Sequence, residues 1–175
     1  MAAPNATPTP AEIRSLLMRA NRLLGASLVE ANLVTVDQLE SANERLLELI
    51  GEGVPRQCTL LGVLAYDLKI VKEEDVLQHC VDEHNIGLID LRTYDGAEDV
   101  KAGLNLPACW ATWTVPFDRE DDFVLLATAY HLSPAVRTYW EKQYGGNVIW
   151  YGTTLEEIAE TLERLAAVAA ASGKS

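Results

Sequence analysis

Apolar positions in the first half of the chain recur at helical spacing. Thr9-Pro10-Ala11-Glu12 is a helix start, with Thr9 as cap, Pro10 in the first turn and Glu12 able to close a capping box. Leu16, Leu17, Ala20, Leu23 and Leu24 then form one stripe. Gly25 reads as an interruption, followed by a short apolar segment through Leu28, Val29, Leu33 and Val34. Thr35-Val36-Asp37-Gln38 is a second capping box. It opens a helix along Leu39, Ala42, Leu46, Leu47 and Ile50, ended by Gly51, Gly53 and Pro55. The pattern then returns: placing Gly25 on Gly62 puts Leu33-Val34 over Ile70-Val71 and Gln38-Leu39 over Asp75-Val76. Each copy predicts a short helix, an apolar turn and a longer helix. Neither buries its apolar face alone, so the two are expected to pack as one bundle. The second copy has Lys72 where the first has its Thr35 cap, and Glu73 and Glu74 compensate in part through the helix dipole.

Asn85 and Gly87 read as a helix stop, and the texture then changes. Leu88-Ile89-Asp90-Leu91 reads as a short strand, and residues 92–107 are polar and ambiguous, with a short helix as one reading. Cys109 to Phe117 and Phe123 to Ala129 are rich in aromatic and β-branched residues and predict two strands, joined through Asp118 to Asp122 as a hairpin. Ser133-Pro134 opens a helix that Gly145-Gly146 stops, Val148 to Tyr151 is a further strand, and Thr153-Thr154 caps a last helix along Leu155, Ile158, Leu162 and Leu165. The expected fold class is α+β: an N-terminal helical repeat bundle (residues 10–87) packed on a small β-β-α-β-α sandwich (88–168). A disordered tail (1–9) and a polar tail (169–175) flank them.

Composition and charge narrow the function. At 49% hydrophobic residues the chain can bury a core, and a formal net charge of −12 repels nucleic-acid polymers, whose binding depends on neutralising phosphates. The start lacks a basic and an apolar region of an export signal. No stretch is long enough to cross a bilayer, and three cysteines at irregular spacing make no disulfide framework, so a cytoplasmic location is expected.

No catalytic set is legible. Gly173-Lys174-Ser175 lacks the rest of a phosphate loop, since Val168 stands where its first glycine is needed. Cys80 and His84 share a helix face but fall short of a four-ligand zinc site, and Cys80 lies on the apolar stripe. His131 reads as isolated in a loop. The chain is therefore expected not to be an enzyme and to carry no metal or cofactor. Trp110, Trp113, Trp140, Tyr144, Trp150 and Tyr151 concentrate in the second half; strand parity would split Trp110 from Trp113 and Trp150 from Tyr151, leaving one set in the core and the other partly exposed, as a protein-docking face or as amphipathic rings on an ordinary mixed core.

The doubled pattern followed by this α/β half resembles the N-terminal domain of type II secretion and type IV pilus assembly ATPases, whose ligand-binding version is the MshEN-type cyclic-di-GMP receptor domain. That family repeats R-L-G-x-x-L-L-x-x-G-L-I-x-x-x-Q-L-x-x-A-L-x-x-Q. The first copy here keeps Gly25, Leu28, Val29, Leu33, Val34, Gln38, Leu39 and Ala42, but has Leu23 at the arginine position beside Arg22, Asn32 at the middle glycine and Leu46 at the last glutamine. The second keeps Gly62, Ile70 and Val71. It has Leu60 at the arginine, Ala65-Tyr66 at the leucine pair, Lys69 at the middle glycine, and Asp75 and Glu83 at the glutamines. The resemblance implies a regulatory or adaptor module without the motor. The leading expectation is docking on a protein partner in a bacterial secretion, pilus, motility or signalling assembly. The alternative is a cyclic-di-GMP sensor with an altered pocket made by Arg22, Gly25, Leu28, Val29, Gln38, Gly62 and Tyr66.

Overall fold

The computed structural model describes residues 8–52, 58–94, 100–101 and 103–172. Helix α1 spans Pro10–Glu30, with Thr9 accepting from the Glu12 backbone N–H at 3.2 Å. It runs straight through Gly25, which was expected to interrupt it. A Cβ at Gly25 would come within 2.7 Å of Leu39 and 3.1 Å of Leu60, so the glycine serves close helix packing rather than a break. Helix α2 is Val36–Glu52, opened by the reciprocal Thr35–Gln38 capping box. Helix α3 begins at Leu60–Gly62 and continues as a π-helical turn over Val63–Asp67; α4 is Glu73–His84.

The repeat seen in the sequence is a repeat of backbone geometry. α1 ends with Asn32 in the left-handed region (φ 60°), Leu33 N–H bonded to Leu28 C=O and Asn32 N–H to Val29 C=O. In the second copy Lys69 occupies the same place with φ 53°, and Ile70 N–H bonds Leu64 C=O. The π turn makes this closing ring one residue wider. Leu64, fully buried, therefore does the work of Leu28, which explains why Ala65-Tyr66 stands where a leucine pair was expected. Tyr66 is turned outward, 62% exposed.

The second half contains strands β1 (Gly87–Leu88), β2 (Thr114–Glu120), β3 (Phe123–Thr128) and β4 (Val148–Gly152) in the order β1-β4-β3-β2. β2 and β3 form the expected antiparallel hairpin, while β3–β4 and β4–β1 are parallel. Helix α5 (Leu106–Thr112) precedes β2, α6 (Pro134–Gln143) links β3 to β4, and α7 (Leu155–Ser172) follows β4. The protein is thus α+β, a helical repeat bundle against a mixed sheet.

Three further expectations are corrected. Cys109 to Thr112 is helix, not strand: Asn105 accepts from Ala108 N–H at 3.0 Å, Pro107 lies in the first turn, and the Thr112 hydroxyl donates to Ala108 C=O at 2.7 Å. Trp113 ends α5 with φ 48°, so Trp110 and Trp113 do not face opposite sides of a strand; their rings touch edge-to-face at 5.4 Å. The polar tail expected from residue 169 is helical to Ser172, because Ala166, Ala167, Ala169, Ala170 and Ala171 favour continuation of α7. Residues 1–7 of the expected N-terminal tail and 173–175 of the C-terminal one lie outside the described residues.

The two halves share a buried polar cluster. The Tyr130 hydroxyl, after β3, donates to Asn21 Oδ1 of α1 at 2.6 Å and lies 2.7 Å from Thr59 Oγ1. Asn21 Oδ1 also accepts from Leu60 N–H at 2.9 Å, and Ser133 Oγ donates to Ala20 C=O at 2.7 Å. All four side chains are buried. Around them α1 packs on α5 and α6, and α4 packs on β1 and β4.

Tyr130→Phe leaves Asn21 and Thr59 without their shared partner and is expected to lower unfolding free energy by about 1–3 kcal/mol, read as a drop in urea midpoint at unchanged slope. Lys69→Gly relieves a left-handed lysine and is expected to stabilise by roughly 1 kcal/mol, more than Asn32→Gly does. Equal or negative effects at Lys69 in the same urea titrations contradict the strain.

Candidate functional site

The sequence pairs Gly62 with Tyr66 one helical turn apart, and the π turn presents both to one cleft of about 590 Å³. Its walls are Arg45, Leu49 and Glu52 of α2, Thr59, Gly62, Val63, Tyr66 and Asp67 around α3, Trp113, and Leu155, Glu156 and Ala159 of α7. Thr59 caps α3 by accepting from Gly62 N–H at 3.2 Å.

Of the expected site residues, the cleft takes in Gly62 and Tyr66 alone. Gly25 and Leu28 are buried in helix packing. Arg22 is exposed on α1, Val29 and Gln38 are half-buried, and Gln38 is occupied by its capping box. Two lining residues were not anticipated. Arg45 sits at an unspecified position of the repeat, and only the return of the chain through α3 brings it to the cleft. It donates through Nε to Asp67 at 2.8 Å and through Nη1 to Glu48 at 2.9 Å. Its side chain is 40% exposed, so these pairs are readily exchanged for another anion. Trp113 is buried, lines the cleft, and its indole N–H has no hydrogen-bond partner among the described residues.

Tyr66 connects the cleft to α7. Its hydroxyl donates to Glu73 Oε1, and Glu73 Oε2 accepts from Leu155 N–H at 2.6 Å, one of the free donors at the start of α7. Glu73 is buried, and that burial pushes its carboxyl above the ordinary range, against the two hydrogen bonds that favour the anion. Burial of the phenol end, with the Glu73 carboxylate beside it, raises Tyr66 as well.

The aromatics of the second half divide into buried and partly exposed rings, although not by strand parity. Trp113 and Trp140 are buried, and Trp110, Tyr144, Trp150 and Tyr151 are half-buried, held by ring contacts such as Phe117–Tyr151 at 5.8 Å and Trp140–Tyr144 at 6.3 Å. His131 is not isolated either: it is buried and packs edge-on against His84 at 5.2 Å and Trp150 at 5.6 Å. Cys58, Cys80 and Cys109 are buried thiols, no group of three or more His, Cys, Asp and Glu side chains could hold a metal among the described residues, and no described helix is long and apolar enough to cross a membrane.

Because native Glu73 holds its proton to higher pH than the unfolded chain does, its ionisation costs stability. The unfolding free energy it governs is expected to fall as pH rises from the ordinary carboxylate range through its raised value. Urea midpoints measured across that window should show a smaller decline for Glu73→Gln than for wild type; parallel profiles would contradict the assignment.

No family model matches the chain, and no curated protein matches it. Among solved structures it is similar to one described as the structure of MshE with cdg, at a TM-score of 0.51 and 19% identity, over 81% of this chain and 97% of that chain. At this identity the likeness shows a shared fold.

Proposed function

We propose that the chain is a non-catalytic regulatory domain that binds cyclic-di-GMP in the cleft beside its second repeat copy. The observation that carries this reading is the doubled helix–turn–helix with left-handed residues at Asn32 and Lys69, in a fold similar to that of MshE with cdg. The cleft volume suits a small-molecule ligand. Its chemistry suits a guanine dinucleotide in two parts. The exposed Tyr66 ring offers a stacking face, and Glu52, Asp67 and Glu156 offer acceptors for the N–H edge of guanine. Arg45 supplies a guanidinium fork for phosphate once it leaves Asp67. In this reading Arg22, Val29 and Gln38 of the first copy stay outside the pocket, and Gly25 and Leu28 shape the helix packing behind it.

A second reading, docking on a protein partner, is favoured by an apolar groove away from the aromatic rings. Met18 and Leu47 are 41% and 57% exposed along a groove of about 440 Å³ between α1 and α2. A pull-down in which Leu47→Glu keeps every captured protein removes it.

Calorimetry with cyclic-di-GMP tests the ligand reading. Wild type should bind, Tyr66→Ala and Arg45→Ala should each weaken binding by about tenfold or more, and Arg22→Ala should leave it unchanged. Absence of heat at high ligand concentration removes the sensor. Loss in Arg22→Ala with Arg45→Ala intact moves the pocket to the first copy and sinks the cleft assignment.

A further inference from the structure

Away from the cleft, four elements bring nitrogen-bearing side chains together. His131, in the loop between β3 and α6, is 6% exposed and packs against His84 of α4 and Trp150 of β4. His79 lies 6.1 Å beyond His84, ring to ring. Arg137 of α6 acts electrostatically on His84, His131 and Cys80, and it has no ion pair among the described residues.

Four buried side-chain nitrogen atoms lack a hydrogen-bond partner among the described residues, and three of them are here: His131 Nδ1, Arg137 Nε and Trp150 Nε1. Buried polar atoms are almost always paired, so orphans on the touching His131 and Trp150 rings, and on Arg137 whose charge acts on His131, call for a missing partner. Their chemistry gives its sign. Guanidinium and indole N–H groups only donate, which excludes a cation, and an imidazole donates from whichever nitrogen carries its proton. Glu83, exposed next to His84, acts on that ring, while Arg137 and His84 are the charged groups that act on His131 among the described residues. A donor-rich cluster with so little acid, in a chain of net charge −12, is a local reversal of the protein's field.

We propose that His131, Arg137 and Trp150, with His84 at the rim, form a binding site for a phosphate-type oxyanion. The oxyanion supplies acceptor lone pairs to all three orphaned atoms. His84, Arg137 and Trp150 are each half-buried, so their side chains can part to admit it without unfolding the sheet. The site shares no residue with the cleft, so its success or failure is independent of the cyclic-di-GMP reading. The His131 imidazole responds to occupancy. Burial first, then Arg137 and His84, lower it to about 4, and a bound anion offsets the two cationic contributions.

The test follows the His131 imidazole and Trp150 indole N–H resonances of the full chain by NMR. The chain is titrated with inorganic phosphate and, in a separate arm, with phenyl phosphate. Saturable movement of both resonances is expected, with the His131 titration displaced upward when phosphate is bound. Arg137→Gln should weaken binding by about tenfold or more, and Trp110→Phe should leave it unchanged. Saturation by phosphate alone assigns the site to the free ion, and saturation by both assigns it to a terminal phosphate group as well. No saturable movement, or affinity unchanged in Arg137→Gln, overturns the proposal. Should Arg137→Gln fail to fold, Trp150→Phe keeps the ring and removes the donor, and unchanged affinity there overturns it equally.

Discussion

The Tyr130 hydroxyl crosses from the sheet half into the helical half and meets Asn21 and Thr59 in a place closed to water. Buried polar groups of this kind fit only one arrangement, because each must find its partner or bear the loss of hydration. Asn21 sets the rotation of α1, Thr59 the start of α3, and Tyr130 the path of the chain leaving β3. Ser133, bonded to the Ala20 carbonyl, repeats the tie one turn of chain later. The position of α3 against α2 and α7, and hence the cleft between them, follows from this junction.

From the junction the two repeat copies diverge in a physically simple way. Both end their first helix with a left-handed residue and turn the chain into the second helix. The first does so from a regular α-helix, so its leucines and glycine go into packing. The second inserts a π turn, which sends Leu64 inward and Tyr66 outward over the cleft. One residue of extra winding separates a copy that builds the bundle from a copy that lines a pocket. Glu73 then ties that pocket to the start of α7 through two hydrogen bonds, from an exposed ring to a helix terminus.

Charge is distributed against the average. The chain is strongly acidic, yet Arg45 in the cleft has loosely held partners, and Arg137, which acts on His131 and His84, has none for its Nε among the described residues. Neither arginine lies at the motif position that the family resemblance pointed to. A binding surface can move along a fold when another element brings a suitable fork to the same region, since recognition depends on donor geometry and not on sequence order.

Local patterning by itself determined the repeat, the Thr9 and Thr35 caps, the β2–β3 hairpin, the helix after Ser133-Pro134 and the α+β class. Each of these depends on neighbours within a few residues, and the alternation or helical spacing records it directly. Helix α5 was legible too, in Asn105-Leu106-Pro107, but the aromatic and β-branched residues after Cys109 carried a competing strand signal. Tertiary structure alone decided that Gly25 packs instead of breaking α1, that Arg45 and Trp113 reach the cleft, and that His131 is buried against His84 and Trp150. Those facts join residues far apart in the chain, and only long-range packing, anchored on Tyr130, Asn21 and Thr59, brings them within reach of one another.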